Sequence, residues 1–471
     1  MRYDLVVIGS DPEGQKGALA AARLGKRVAL IECRENARED AGFTSSTIPS
    51  RILRDAIVHL TEVQQANLPD ARCAEGGVIA MRDLRRQVTR IINREAEVLH
   101  DQLVRNGIDL YPGEARFAGP HEIWVEGDGA TLPLDASHIL LACGTRPARP
   151  ANIPLDGRHV FDSDGILELD SIPRSLIVVG AGVTGIEQAF LFAALGVDVT
   201  VVDGRESLLD FCDRDVVDVL LSCGRSLGFN FHFGEDVIGL DRMPGNRIAL
   251  QLAGGKRLIG ENVLYAAGRV GDTAGLNLPA AGLEPDERGR LWCDEYHRTW
   301  VPHIYGVGAA VGFPALARHS RNQGRRAIGH AFGLPFPGSR HVTRNLYTIP
   351  EIAMVGMGED QLTKERVPFE VGIVRAGNEG DRPGLLKVLF HRATRRVLGM
   401  RCIGEQAIEI VRIGESVMTG DGTIEDFREA VFDDSVMAEF CQVAGDGLSG
   451  LELTGPSEVA DLDLFVAGRA L

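Results

Sequence analysis

The chain has 471 residues, enough for about three domains of ordinary size. Hydrophobic residues make up 44% and charged residues 25%, and the formal net charge of −16 argues against non-specific binding to nucleic acid or anionic membranes. No run approaches the ~18 consecutive apolar residues of a membrane span, and the N-terminus lacks the features of a signal peptide, so we expect a cytoplasmic protein.

Two segments repeat one pattern, "VVIGSDPEGQKGALAAARLGKRVALIE" at 6–32 and "IVVGAGVTGIEQAFLFAALGVDVTVVD" at 177–203. Each reads as a β-branched strand, a glycine turn, an alanine-rich helix, a Leu-Gly stop and a second apolar strand that ends in an acidic residue. In each, 23 positions separate the first glycine from that acid, close to the ~20-residue offset of a βαβ dinucleotide-binding unit. Two copies in register predict two Rossmann-like domains.

The first glycine turn departs from the usual pattern. Gly9, Gly14 and the ribose-binding acid Glu32 are present, but Asp11 stands where the second glycine is expected. Its carboxylate would lie close to a bound pyrophosphate, and like charges repel. The sequence therefore predicts a dinucleotide site whose affinity is weakened at this turn.

The second glycine turn is intact. Gly180, Gly182 and Gly185 suit a tight turn, a close approach to pyrophosphate and close helix–strand packing. Asp203 can accept the ribose hydroxyls of NAD(H), whereas Arg205 can meet the 2′-phosphate of NADP(H). An acid and a base together predict a site that takes both nucleotides.

The rest of the chain completes an α/β fold with two Rossmann-like dinucleotide-binding domains plus a C-terminal α+β domain, which the family resemblance described below implies is a dimerisation domain. Apolar spacing predicts a helix over 83–108. The eight cysteines and 12 histidines form no metal-ligand spacing, so we expect no metal site. The predicted domains are 1–150, completed by 271–342, then 151–270, 343–450 and a C-terminal extension, 451–471.

The order of these motifs resembles the pyridine nucleotide–disulfide oxidoreductases. "ACGTRP" lies between the two βαβ units, and "AAGR", "YGVG" and "YTIPEIAMVG" follow the second unit. The similarity runs over about 3–450. The segment "TIPSRILRDA" at 47–56 is most similar to the transhydrogenase branch of the family. Disulfide enzymes have a cysteine before I-P-S-K, and here Thr47 takes that place, with Gly42 at the partner position.

The resemblance implies a homodimeric flavoprotein in which hydride passes from NADPH to flavin N5 and on to NAD⁺, with no dithiol step. It implies catalytic roles for Thr47, Arg51 and Glu187, the first two beside the flavin and the third near the nicotinamide. The residues it assigns to FAD are Gly9, Gly14, Glu32, Gly144, Thr145 and Gly308. Those it assigns to NAD(P) are Gly180, Gly182, Gly185, Glu187, Asp203, Arg205 and Gly268.

Two departures from the family pattern keep a second reading open. Ala309 replaces the aspartate of the family's "GD" turn near the flavin, and Asp11 disturbs the first glycine turn. Together they would weaken FAD binding. The alternative is a flavin-free, non-catalytic relative that binds NAD(H) as a sensor or interaction protein.

Overall fold

The computed structural model describes residues 1–32, 50–65, 79–127, 129–150, 152–245, 247–313, 322–335, 341, 343–376, 384–429 and 465–466. The chain forms two compact units: unit 1 consists of Met1–Ile172 and Ala266–Gly338, and unit 2 of Pro173–Tyr265 and Ser339–Leu471. The unit boundaries fall near, but not at, the predicted domain limits of 150, 270 and 342. The predicted limits themselves stay predictions.

The α-helices of the described residues are, in chain order, α1 (Pro12–Arg23), α2 (Ser50–Gln65), α3 (Met81–Arg105), α4 (Val183–Ala194), α5 (Arg214–Ser226), α6 (Gln323–Ala331), α7 (Glu359–Lys364), α8 (Ala407–Thr419) and α9 (Glu425–Glu429). Helix α3 confirms the helix predicted over 83–108. Within the described ranges, no helix is both long enough and apolar enough to cross a membrane.

The strands of the first half are β1 (Arg2–Ile8), β2 (Val28–Glu32), β3 (Asp109–Pro112), β4 (Glu114–Phe117), β5 (Glu122–Gly127), β6 (Ala130–Leu141), β7 (Thr145–Pro147), β8 (Val160–Asp162), β9 (Ser175–Val179), β10 (Asp198–Asp203), β11 (Asn230–Phe233) and β12 (Val237–Met243). Those that follow are β13 (Arg247–Leu252), β14 (Arg257–Gly260), β15 (Asn262–Tyr265), β16 (Arg269–Gly271), β17 (Leu291–Trp292), β18 (Ile304–Gly306), β19 (Val311–Phe313), β20 (Arg344–Leu346), β21 (Glu351–Gly356), β22 (Phe369–Ala376), β23 (Gly384–His391), β24 (Val397–Gly404) and β25 (Phe465–Val466).

The main sheet of unit 1 has the strand order β3-β2-β1-β6-β5-β4, with β18 also paired to β6. β1, β2, β3 and the second half of β6 run parallel, and β18 joins them in parallel. The first half of β6 pairs antiparallel with β5. All five residues of β2 are buried, as expected for a parallel strand covered on both faces. The carboxyl ends of β1, β2 and β6 therefore meet at one edge.

The sheet of unit 2 that contains the two strands of the second repeat has the parallel order β11-β10-β9-β15. Helix α4 lies between β9 and β10, and nine of its twelve residues are buried. Glu32 ends β2 and Asp203 ends β10, so both acids lie where the spacing predicts them. The predicted α/β class and the two Rossmann-like βαβ units are confirmed.

The C-terminal part of unit 2 contains an antiparallel sheet in the order β20-β21-β24-β23-β22-β25. Helices α8 and α9 contribute Ile410, Val411, Met418 and Phe427 to a core shared with Met400 of β24. Strands β20 to β24, with the short α7 among them, precede α8 and α9, and the two-residue β25 comes last. The predicted α+β domain is confirmed.

The three tryptophans of the sequence, Trp124, Trp292 and Trp300, all belong to unit 1. Trp292 and Trp300 are about half exposed and line an open groove of about 690 Å³. The Trp300 indole N–H donates to the carbonyl of Gly282 at 2.8 Å. This bond holds the Trp300 indole at the surface of this unit.

Candidate cofactor-binding sites

A cavity of about 550 Å³ opens in unit 1 where β1, β2 and β6 end. This is the edge at which doubly wound sheets bind their ligands. Its lining includes four residues that the sequence assigns to FAD, namely Gly9, Glu32, Gly144 and Thr145. Both the volume of the cavity and its place at this sheet edge suit a nucleotide site.

Backbone geometry explains the glycine at the entrance of the first turn. Gly9 has φ = +96°, and a side chain there would overlap the backbone of Ala142 at the end of β6. Gly14 packs so closely that a Cβ would lie 2.5 Å from that of Ala142. The turn therefore joins β1, α1 and β6 without room for side chains at these two positions.

Asp11 caps helix α1 with its own side chain. Its Oδ1 accepts hydrogen bonds from the backbone N–H groups of Glu13, at 2.9 Å, and Gly14, at 3.0 Å. Pro12 has no N–H, and the N–H of Gln15 donates to the Asp11 carbonyl at 3.0 Å. The N–H groups that the first turn of α1 could offer to a pyrophosphate are thus already used by Asp11.

The Asp11 carboxylate also packs against the second predicted FAD segment. A side chain at Gly308, where φ = +75°, would overlap this carboxylate. Gly308 donates its N–H to Oε1 of Gln323 at 2.7 Å, and the adjoining Ala309 lines the cavity. Burial raises the pKa of Asp11 to about 6, although the hydrogen bonds from Gly14 and Glu13 oppose this rise.

Arg269 secures the far wall of the cavity. Its guanidinium donates to the Thr145 hydroxyl at 2.9 Å and to an Asp164 carboxylate oxygen at 2.8 Å. Cys143 lines the same wall. Burial, with the negative charges of Asp272 and Asp11, raises the pKa of the Cys143 thiol to about 12, so this thiol is not a nucleophile at neutral pH.

The glycine turn of unit 2 leaves its helix uncapped by side chains. Gly180 has φ = +106°, and Gly182 is the N-cap of α4 with nothing within 4 Å of the place a Cβ would take. Gly185 is buried in the first turn of that helix. In the part of the chain that the structure describes, no side chain occupies the N-terminus of α4, in contrast to α1.

Asp203 and Arg205 form a closed pair beside this turn. Asp203 Oδ2 accepts from the backbone N–H of Ala181 at 2.6 Å and from Nη2 of Arg205 at 2.8 Å, while Oδ1 accepts from Arg205 Nε at 3.0 Å. Burial opposes the ionisation of Asp203, but these hydrogen bonds outweigh it and lower the pKa of the carboxyl. The hydrogen bond to Asp203 correspondingly raises the pKa of Arg205.

Glu187 is buried on α4 and only 4% exposed. Its Oε1 accepts the backbone N–H of Tyr347, just after β20, at 2.8 Å. Gln188, the next residue of the helix, is also buried. Within unit 2 this carboxylate therefore links the first turns of a helix to a segment 160 residues away.

Arg51 and Gly268, two further predicted site residues, are not among the residues that line the cavity of unit 1. Arg51 is exposed on α2, near Asp55 and Glu95 at 3.8 Å each, and does not line the described cavity. Gly268 belongs to unit 1, with φ = +132°. Thr47 lies outside the described residues. The described residues contain no group of three or more His, Cys, Asp or Glu side chains that could hold a metal.

Family comparison gives the context for both sites. The model for pyridine nucleotide-disulphide oxidoreductases matches residues 3–324, and the model for the dimerisation domain of the same family matches residues 342–444. The chain belongs to the pyridine nucleotide-disulphide oxidoreductases. It is an oxidoreductase by family, and its C-terminal part is the family's dimerisation domain.

Two relatives of this chain share one name. A soluble pyridine nucleotide transhydrogenase from Mycobacterium bovis is 43% identical over 93% of this chain and 95% of the relative. A protein of the same name from Pseudomonas putida is 37% identical over 95% of this chain and 99% of the relative. The predicted resemblance to the transhydrogenase branch is confirmed.

Solved structures share the fold. LpdA from Mycobacterium tuberculosis superposes with a TM-score of 0.83 at 25% identity, covering 95% of this chain and 99% of that one. The HOCl-induced flavoprotein disulfide reductase RclA from Escherichia coli superposes with a TM-score of 0.79 at 23% identity, covering 96% and 100%. The latter identity supports the fold alone.

FAD and pyridine nucleotides are the cofactors of this family. In unit 1, the residues fit the adenosine end of FAD, because Glu32 is buried at the cavity and the glycine turn is tight. At the pyrophosphate position, they fit FAD once the Asp11 carboxylate gives up the N–H groups of α1. In unit 2, the open N-terminus of α4 fits a dinucleotide directly.

Sequence reasoning identified Asp11 as a source of repulsion but missed its role as a helix cap. The signal was present in "DPEG", since Asp at the N-cap, Pro at the first helical position and an acid in the first turn form a helix-start signature. The pairing of Asp203 with Arg205 was also missed. The sequence predicted Asp203 and Arg205 as two separate nucleotide-binding groups, but in the structure their side chains are hydrogen-bonded to each other.

Proposed function

We propose that the protein is an FAD-dependent oxidoreductase that passes hydride between NADPH and NAD⁺ without a dithiol step. The supporting observation is the pair formed by Asp203 and Arg205 beside an open helix N-terminus. A carboxylate suits the ribose hydroxyls of NAD(H), and a guanidinium suits the 2′-phosphate of NADP(H). An enzyme that exchanges hydride between the two nucleotides needs both.

Bound flavin supplies the group that accepts a hydride from one nicotinamide and gives it to another. The chain's part is to hold and orient the nucleotides. On this proposal FAD is held by Gly9, Gly14, Glu32, Gly144, Thr145 and Gly308, and the nicotinamide nucleotide by Gly180, Gly182, Gly185, Asp203, Arg205 and Gly268. Thr47, Arg51 and Glu187 are proposed to line the reaction site.

The absence of a dithiol step is supported by the cysteines. Gly42 and Thr47 stand where disulfide enzymes carry their reactive pair. Burial raises the pKa of Cys212 and Cys293 to about 12 and that of Cys223 to about 11, which leaves these thiols protonated at neutral pH. With Cys143, these are poor nucleophiles. Hydride exchange between two nicotinamides needs no sulfur.

We further propose that the enzyme works as a homodimer in the cytoplasm. The match to the family's dimerisation domain supports the first statement. The name of the relatives, soluble transhydrogenases, supports the second. Size-exclusion chromatography with light scattering tests the dimer, and a monomeric active protein would contradict it.

A second function is favoured by one observation, the Asp11 cap on α1. A protein that keeps this cap closed would hold no flavin. It would bind NAD(H) through the turn of unit 2 alone and act as a sensor or interaction protein.

One experiment separates these functions. The full-length protein is incubated with FAD, freed of unbound cofactor, and assayed for flavin content and for reduction of a thio analogue of NAD⁺ by NADPH. We expect bound flavin, hydride transfer between the nucleotides and no reduction of lipoamide. Flavin-loaded protein without hydride transfer would contradict the proposed enzyme. Flavin-free protein that binds NADH by calorimetry would favour the second function.

A further inference from the structure

The first turn of helix α1 itself has no backbone N–H left for a phosphate group. Glu13 and Gly14 donate to the Asp11 carboxylate, Gln15 donates to the Asp11 carbonyl, and Pro12 has no N–H. A pyrophosphate bound at this turn would meet a carboxylate in the position that suits an anion. Either the carboxylate keeps the donors or the pyrophosphate takes them.

A second observation shows that the cavity is built for a polar ligand. Ser10, the residue before Asp11, lines the cavity and is only 2% exposed. Its hydroxyl has no hydrogen-bond partner within the described residues. A buried hydroxyl normally finds a partner, and a ligand in the cavity would provide one.

Charges around Asp11 are mostly negative. On α1, Glu13 pairs with Lys16 at 2.6 Å. Across the cavity the charged lining residues are Glu32 of β2, Glu114 of β4, Asp272 after β16, and Arg269, whose guanidinium is engaged by Asp164. The remaining neighbours are neutral: Gly308 packs on the carboxylate, and Gln323 of α6 holds Gly308. A ligand carrying two phosphate charges would therefore enter an acidic site.

Neutralising Asp11 removes both obstacles. A protonated carboxyl is a weaker acceptor for the N–H groups than a carboxylate, because charge-assisted hydrogen bonds are about twice as strong as neutral ones. It also carries no charge to repel the pyrophosphate. Burial places the pKa of Asp11 at about 6, so near neutral pH the proton is available at small cost.

We propose that a dinucleotide enters the cavity of unit 1 together with one proton, which is taken up by the Asp11 carboxylate. The proton comes from solvent, converts the carboxylate into a carboxylic acid, and releases the N–H groups of Glu13 and Gly14 to the pyrophosphate. Asp11 thus makes the occupancy of this site depend on pH. The inference rests on the proposed function insofar as the dinucleotide is FAD.

The expected effect follows from the protonated fraction of Asp11. Above pH 6, this fraction falls about tenfold for each pH unit. The dissociation constant of FAD should therefore rise by about tenfold per pH unit between pH 7 and pH 8.5 and level off below pH 6. No such slope is expected where residue 11 cannot ionise.

The test is a titration of flavin-stripped full-length protein with FAD between pH 5.5 and 8.5, followed by flavin fluorescence. Calorimetry at pH 7.5 in two buffers of different protonation heat counts the protons taken up. Asp11→Asn keeps the cap without the charge, and Asp11→Gly removes the side chain. Asp272→Asn is the matched control, since it removes another carboxylate of the same cavity.

We expect a pH slope and uptake of about one proton in the parent protein and in Asp272→Asn, and neither in the two Asp11 variants. A pH-independent affinity in the parent protein, or a slope that survives in Asp11→Gly, would overturn the proposal. The proposal would also be overturned if only Asp11→Gly bound FAD at every pH tested, or if none of the proteins bound FAD. Hydride-transfer activity is not needed for this readout, so proton-coupled binding without transhydrogenation would count against the proposed function only.

Discussion

Arg205 grips the carboxylate of Asp203 with two sides of its guanidinium, Nε at 3.0 Å from Oδ1 and Nη2 at 2.8 Å from Oδ2. The residue suited to the ribose of NAD(H) and the residue suited to the phosphate of NADP(H) are therefore bound to each other. Each nucleotide is expected to open this pair from a different side.

Replacing Arg205 by alanine should weaken the binding of NADPH by about 10- to 100-fold, because one charge-assisted contact to the 2′-phosphate is lost. The affinity for NADH should change much less. Fluorescence titration with each nucleotide measures this difference. Arg257→Ala is the control, since Arg257 is an exposed arginine of the same unit paired with Asp241. Equal losses for both nucleotides would contradict the assigned role.

Asp203→Asn should produce the opposite selectivity. The amide is a poorer acceptor for the two ribose hydroxyls, so NADH should bind about tenfold more weakly. Arg205 is at the same time released from its partner, so NADPH binding should be retained or strengthened. The ratio of the two dissociation constants is the measurement, and a ratio that moves in the same direction as in Arg205→Ala would refute the prediction.

The raised pKa of Asp11 also has a consequence for stability. The carboxyl has a pKa of about 6 in the folded protein and an ordinary value, about 3.9, in the unfolded chain. Its contribution is therefore fully present below about pH 4 and is lost as the pH rises through 6, by up to about 3 kcal/mol. The free energy of unfolding of Asp11→Asn, relative to the parent, should rise between pH 4.5 and pH 7.5. Denaturant unfolding without FAD measures it, and a pH-independent difference would show that the charge is well solvated.

Lys387 of β23 is a buried cation held by three carboxylates of unit 2. Its Nζ lies 2.7 Å from Asp215, 3.0 Å from Glu359 and 3.4 Å from Asp213. Burial alone would favour the neutral amine, but these partners outweigh it and raise the pKa. The buried amine therefore keeps its charge at neutral pH.

Lys387→Met should lower the free energy of unfolding of unit 2 by about 3–5 kcal/mol, because it leaves buried or half-buried carboxylates without their cation. Lys256→Met is the matched control, since its ammonium is bound to Glu235 at 2.9 Å but is 64% exposed. The control should change stability by less than about 1 kcal/mol. Thermal unfolding of the two variants gives the comparison, and equal shifts would contradict the role of burial.

Glu187 supplies a buried acceptor to the backbone N–H of Tyr347. Glu187→Ala leaves that N–H without its acceptor and should cost about 1–3 kcal/mol of stability. Glu187→Gln keeps a carbonyl oxygen at the same place and should cost less. Hydrogen exchange at the Tyr347 amide follows the bond directly. Equal protection in the alanine variant would show that the bond contributes nothing.

The elements that could be predicted from sequence are those with a local cause. The spacing from Gly9 to Glu32 and its repetition in unit 2 follow from the geometry of a βαβ unit, which fixes where a strand must end. The acids lie at the strand ends for that reason. The cluster at Lys387 has no local pattern, because its partners come from α5, the residue just before α5, and α7.

Asp11 could be predicted only in part from the glycine motif that it interrupts. Comparison with the motif predicts that a side chain and a negative charge are added where glycine is expected. It does not predict the two hydrogen bonds that the carboxylate accepts, because their N–H donors point to Asp11 only once α1 has formed. The Asp-Pro-Glu signature of a helix start would have supplied this second half.

Because all three tryptophans belong to unit 1, the intrinsic tryptophan fluorescence of the protein reports on that unit. Indole emission is set by the surroundings of Trp124, Trp292 and Trp300 and is blind to the loss of structure in unit 2. Circular dichroism, in contrast, sees the helices of both units. Denaturation curves recorded by the two methods would coincide if the units lose their structure together, and would separate if one melts first.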